Sequence, residues 1–405
     1  MLRAVREVAD GSIFQDGETM NAKKTTVKQR DITVEILRIV GCLLVVGTHT
    51  KLDLYVNGQP DFSRVFIYAV LADGVNIFWL ILGFFCFRSK LKYTQQLKQM
   101  AQRILLPMVL FSALCFYFGG WLIRGETLLQ SVTHTDAEYV QLLTNGLLKW
   151  QPAIDYTGHL WFMFTYALII VLMPALKWLN RVIGTKRKVI SIVAVCIFVI
   201  FAVNDVLLNG LCHFSYYGIG ALIPAVCLVF LGRFLYEEKS HVCRNWKWGS
   251  VGIVLFIAGN VIRTVIQYQC FLMPGAPSHL LQWYSGFGIL SAVGIFLAVY
   301  GLGGYFKFGA KANKLICHFG KLTMYIYILH SLVLMLFYQK GVNLRIQSIL
   351  GIRWYDEYLY LLLFGGGVGL VTLVIGETIF WTQKLVVKIV KTTKTTKTTK
   401  TTNDK

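Results

Sequence analysis

Residues Asp31–Leu54 read DITVEILRIVGCLLVVGTHTKLDL. An apolar run of about 20 residues is long enough to cross a bilayer as a helix. This one nevertheless carries Glu35, Arg38 and His49. Ionisable groups are costly in hydrocarbon, so each is a candidate for function. At ~100° per residue, Arg38 and His49, eleven positions apart, differ by only about 20° and share a helix face. Along the axis they are about 16 Å apart, roughly half the hydrocarbon thickness. Glu35, three positions before Arg38, lies on the same face and can pair with it.

These residue types point to a chemistry. An imidazole, with an ordinary pKa of ~6.5, is a natural general base for deprotonating a hydroxyl. A guanidinium is a fixed cation that holds phosphate or carboxylate. The plainer alternative is an Arg snorkelling to one interface and a His hydrogen-bonded at the other.

The rest of the chain repeats the apolar theme. It is 56% hydrophobic and only 15% charged, with a mean hydropathy of +0.58; soluble domains carry about 25% charged residues. After Ile32–Leu54, hydropathy places further spans near Phe66–Phe87, Ile104–Ile123, His159–Leu176, Val189–Leu208, Ser215–Gly232, Trp248–Gln267, Trp283–Gly303, Leu315–Tyr338 and Tyr358–Phe380. Lys and Arg test this partition, because they concentrate in cytoplasmic loops. With both termini cytoplasmic, thirty of the 40 fall inside, seven outside (counting Lys51, at the outer end of the first span), and Arg38, Arg263 and Lys321 within spans. The expected fold is an all-α integral membrane protein of about ten transmembrane helices, in the cytoplasmic membrane.

The net charge of +20 then belongs to the cytoplasmic face, beside anionic membrane lipid, and not to nucleic-acid binding. Three segments are expected: a cytoplasmic stretch 1–30 without a signal-peptide core, a membrane domain 31–383, and a basic tail 384–405. The Lys-Thr-Thr repeats from Lys391 read as low-complexity and disordered. The nine cysteines are scattered and read as small buried hydrophobes. Neither they nor the eight histidines show metal-ligand spacing, and no metal is expected.

Other polar residues are weighed one by one. His159 and Trp161 open the fourth span and suit the wall of a saccharide site, or an interfacial anchor. Tyr325 and His330 lie in the ninth span, five apart and so off a common stripe; a mid-span imidazole needs a polar partner. Asp73 and Asn76 share a face and can bond toward the first span. Arg263 is expected to snorkel. Asn204 and Asp205, near His213, read as a solvated edge. The stretch Arg124–Gly158 has room for a short amphipathic helix.

Taken in order, these residues resemble the membrane-bound acyltransferase-3 family. Its first span carries Arg or Lys, ten residues, then His, as Arg38 and His49 do, usually after an acid such as Glu35. Gly74-Val75-Asn76-Ile77-Phe78-Trp79 through Gly83-Phe84 resembles its second span, with Asn76 in place of the family's acid and Leu82 in place of its Ser. Lys98, Arg103 and Pro107 resemble the basic entry to the third span, although Gln99 stands where a second Arg is usual. His159-Leu160-Trp161-Phe162, Phe230-Leu231-Gly232 and Thr323 through His330 resemble later family stretches. The matches run from about Asp31 to Phe380.

The resemblance implies transfer of an acyl group, most often acetyl, from cytoplasmic acetyl-CoA to a hydroxyl of an extracytoplasmic saccharide. It implies His49 as catalytic base or acyl relay, Arg38 as donor-binding, and Glu35 as its orienter. Arg103 and Lys98 would contact the donor. His159, Trp161, Tyr325, His330 and Asn76 would contact the acceptor. Two rivals stand beside it. A transporter or flippase of lipid-linked substrates would show flux without donor. A sensor or scaffold would tolerate loss of His49. The acceptor's identity and any homo-oligomer are left open.

Overall fold

The structure is a computed structural model and describes residues 30–123, 125–127, 129–130, 136–154, 157–184, 186–206, 218–273, 282–350 and 356–403. Those residues are overwhelmingly helical. In chain order they form α1 (Ile32–Thr48), a hairpin of β1 (Tyr55–Val56) and β2 (Gln59–Pro60), α2 (Phe62–Ala72), α3 (Gly74–Cys86) and α4 (Tyr93–Met100). A π-helical turn at Ala101–Leu105 joins α4 to α5 (Leu106–Ile123). Then come α6 (Asp136–Lys149), α7 (Trp161–Val171), α8 (Met173–Ile183), α9 (Arg187–Val206), α10 (Gly218–Glu237) and α11 (Lys239–Val242). The last third holds α12 (Trp246–Phe271), α13 (Gly286–Gly303), α14 (Ala310–Gln339), α15 (Val342–Ile349), α16 (Asp356–Tyr360) and α17 (Gly366–Asn403).

Among the described residues, eight helices are long and apolar enough to cross a membrane, and a ninth crossing is made if α7 and α8 count as one. The chain is an all-α multi-pass membrane protein. α1 has 17 helical residues, about 26 Å of rise and the short limit for a crossing. The expected span 159–176 is broken: α7 and α8 meet at 65°. Pro174 stands in the first turn of α8, where its missing N–H and its ring prevent α7 from running on.

α1 also ends earlier than hydropathy suggests. Lys51 takes φ 49°, a left-handed conformation that no α-helix continues through. At its start Asp31 caps Thr33 N at 3.1 Å. The same carboxylate takes hydrogens from Lys239 Nζ at 2.8 Å and Tyr300 Oη at 2.9 Å, tying α1 to α11 and α13. The centre of the bundle is a large apolar cluster drawn from α3, α7, α10 and α13. A second cluster joins α5, α7 and α14.

Three sequence expectations are corrected. Arg263 does not snorkel: it is fully buried and pairs with fully buried Asp73 at 2.9 Å. Asn260 and Ser291 complete that network, each bonding the other Asp73 oxygen, at 3.2 and 2.5 Å. Asn204 and Asp205 are not a solvated edge but buried; Asp205 accepts from Ser285 Oγ at 2.8 Å and Phe287 N at 3.2 Å, joining α9 to α13. His213 lies outside the described residues. The Lys-Thr-Thr repeats are helical to Asn403, since extending an existing helix avoids the cost of nucleating one. A short helix, α6, does lie within 124–158.

Candidate active site

The site is built along α1, between two sets of side chains that face α14. At the first end Glu35 is buried. Its Oε1 accepts from Arg38 Nη1 at 2.8 Å and lies 3.2 Å from Arg30 Nη1. α14 approaches so closely here that a methyl on Gly320 would overlap the Glu35 carboxylate. Arg38, half-buried, then lines a cavity of about 140 Å³ with Lys321, Thr323, Tyr327, Phe162 and Tyr166 among its walls. The remaining walls are mostly apolar, including Ile81, Leu82, Ile104 and Met163. A smaller cavity beside it shares Ile104 and Tyr166 and is lined by Arg103.

At the other end three imidazoles meet. The His49 ring centroid is 5.0 Å from that of His330 and 6.3 Å from that of His159; His159 and His330 are 4.8 Å apart. His159 and His330 are buried, while His49 is exposed. Local bonds hold His49 in place on both sides. Thr48 Oγ1 donates to Leu71 O at 2.9 Å, and Tyr338 Oη donates to Thr50 O at 2.6 Å.

Carbonyl partners set the two buried tautomers. A carbonyl only accepts, so the His ring nitrogen beside it carries the hydrogen. His330 Nδ1 lies 2.6 Å from Tyr327 O, and His159 Nε2 lies 3.1 Å from Ile328 O. In neutral rings His330 Nε2 and His159 Nδ1 are therefore lone-pair acceptors, and neither has a partner among the described residues. Among those residues no group of three His, Cys, Asp or Glu side chains is placed to hold a metal ion.

Tyr327 connects the two ends. It lines the Arg38 cavity, its carbonyl orients His330, and its hydroxyl donates to the main-chain carbonyl of His159. His49 itself does not line the cavity.

A family model described as an acyltransferase domain, that of acyltransferase-3, matches residues 31–377. The chain belongs to the acyltransferase-3 family. It is a membrane acyltransferase. Neither the curated proteins nor the solved structures gave a match.

Within this acyltransferase-3 domain the sequence-predicted residues divide. Glu35 and Arg38 meet at one end of the α1–α14 axis, and His49, His159 and His330 at the other. Arg103 is buried at the neighbouring cavity. Lys98 is exposed and lines neither cavity. Tyr325 turns to α17, where its hydroxyl donates to Gln383 Oε1 at 2.7 Å. Trp161 stacks on Trp283 at 5.1 Å and 24°. Trp79, close to Trp283, packs on Phe162 at 4.2 Å. Asn76 is fully buried, and neither its amide nitrogen nor its oxygen has a partner among the described residues.

The sequence reading gave no role to Tyr327, Lys321 or Trp283. A signal for Tyr327 was present, because it stands three residues before His330 and so on the same helix face.

Proposed function

We propose that this acyltransferase moves an acyl group, acetyl in the simplest case, from cytoplasmic acyl-CoA to a hydroxyl of an extracytoplasmic glycan or lipid-linked saccharide. One observation carries the reading: α1 presents Arg38 to a largely apolar cavity and His49 to an imidazole cluster about 16 Å further along its axis. A cation at one end suits an anionic donor. An accessible imidazole at the other suits an alcohol.

The chemistry balances without further reagents. His49 removes the proton of the acceptor hydroxyl as the oxygen attacks the thioester carbonyl. The C–O bond of the ester forms and the C–S bond breaks. The proton on His49 passes to the departing CoA thiolate. Glu35 holds Arg38 in one orientation, and the apolar walls beyond it suit an uncharged acyl and thioester arm. His159 Nδ1, a buried acceptor with no donor among the described residues, would accept from a sugar hydroxyl that reached it.

The test compares envelope glycans, by mass, from a deletion strain complemented with the parent chain or with His49→Ala. The expected result is an acyl increment that returns with the parent and not with His49→Ala, at equal amounts of membrane-inserted protein. An increment restored by His49→Ala would overturn the reading.

A further inference from the structure

We infer that His330 is the positioning partner of His49, its Nε2 accepting the ring N–H of His49 and so leaving the other His49 nitrogen as the base. The inference rests on the acyl-transfer reading for its catalytic meaning, and on geometry for the pairing itself.

The argument is one of supply and demand for hydrogens. His330 is fully buried, and its Nδ1–H is committed to Tyr327 O at 2.6 Å. Its Nε2 is then an acceptor that has no donor among the described residues. A buried polar atom left in that state is costly, and folded proteins rarely keep one without a ligand, water or moving partner. His159 cannot supply the hydrogen, because its own N–H is committed to Ile328 O at 3.1 Å. The Tyr327 hydroxyl is committed to His159 O and the Thr50 hydroxyl to Gly47 O. His49 is the remaining ring of the cluster. It lies 5.0 Å from His330, centroid to centroid, and its imidazole makes no hydrogen bond within the described chain. A neutral imidazole has one N–H to give and one lone pair to keep. Bases in nucleophilic and acyl-transfer sites are commonly held by a third group in this way, and such contacts often close fully only with substrate bound. Once His49 has taken the alcohol's proton, the same contact holds the resulting imidazolium.

The test pairs two substitutions. His330→Leu keeps bulk and removes the acceptor. His330→Gln replaces it, with an amide oxygen near the position of Nε2 and an amide N–H for Tyr327 O. Acyl transfer from acetyl-CoA is measured with full-length protein in lipid nanodiscs. His330→Leu is expected to lower kcat about 100-fold, with the donor KM unchanged within about twofold, and His330→Gln to recover most of that loss. Equal impairment of the two variants, or a parental kcat in His330→Leu, would overturn the pairing. A second readout does not depend on turnover. The 15N spectrum of histidine-labelled protein is expected to show one His49 tautomer in the parent and in His330→Gln, and two exchanging tautomers in His330→Leu. Exchange already present in the parent would overturn the inference. A single tautomer lost in His330→Leu, in a parent that transfers no acyl group, would sustain the pairing and sink the acyl-transfer reading.

Discussion

The hydroxyl of Tyr327 donates to the main-chain carbonyl of His159, so the wall of the Arg38 cavity and the imidazole cluster form one bonded unit. Tyr327→Phe keeps the ring and removes the bond. The cost is expected to be about 1 kcal/mol, rising toward ~3 kcal/mol if the buried carbonyl finds no other donor. Thermal unfolding in detergent measures it. Tyr327→Ala also removes the ring between the cavity and the imidazoles. Its expected signature is thiol released from acetyl-CoA without matching acceptor acylation. A thiol-to-ester ratio equal to the parent's would show that Tyr327 partitions nothing.

Gly320 makes room for the Glu35 carboxylate. Gly320→Ala must push that carboxylate aside and loosen its 2.8 Å bond to Arg38. Loss of about 1 kcal/mol of donor orientation corresponds to a roughly fivefold rise in the donor KM. Glu35→Gln, which keeps the shape and drops the charge, is expected to move KM in the same direction. An unchanged donor KM in both variants would separate the Glu35–Arg38 pair from donor binding.

Much of this architecture is legible in the amino-acid sequence. Runs of some twenty apolar residues mark the helices because backbone groups must be satisfied within the segment in lipid. The Arg38–His49 stripe follows from helical geometry alone, and both residues do face α14. What could not be read is which helices neighbour one another. His49, His159 and His330 were each singled out, yet nothing in their periodicity says that rings so far apart in the chain meet within 4.8–6.3 Å. Arg263 was misplaced for the same reason: its partner Asp73 lies 190 residues away. An arginine near a span end looks like a snorkelling one until a facing carboxylate is known.

Glycine spacing at one helix crossing carries a stability prediction. A methyl at Gly83 would run into the backbone of Val229, and one at Gly232 into the backbone of Leu80. α3 and α10 therefore touch main chain to main chain, the close approach that small residues permit in membrane bundles. Backbone cannot rotate away as a side chain can, so Gly83→Ala or Gly232→Ala must part the helices. An expected cost of about 1–3 kcal/mol is typical of overpacking. Gly369, on α17, has open space around its Cα. Gly369→Ala is expected to be neutral or stabilising by up to ~1 kcal/mol, from helix propensity. Unfolding midpoints of the three variants in one detergent decide it, and equal midpoints would refute the close crossing.

The Asp73–Arg263 pair sits where both side chains have no exposed surface. Asp73 is well supplied with donors, from Arg263, Asn260 and Ser291. Arg263 is less well served, since its Nε and Nη1 have no partner among the described residues. Removing one charge strands the other, at a cost of about 3–5 kcal/mol, whereas replacing both with apolar groups can be neutral. Asp73→Leu or Arg263→Met alone is thus expected to lower the yield of folded protein sharply. The double variant is expected to recover a large part of it, and to retain acyl transfer if the pair only fastens α12 to the α2–α3 junction. Size-exclusion profiles of detergent-extracted protein measure the yield. Additive losses in the double variant would mean that the two charges do not compensate each other. A double variant that folds but no longer transfers would move this pair from the scaffold into the reaction.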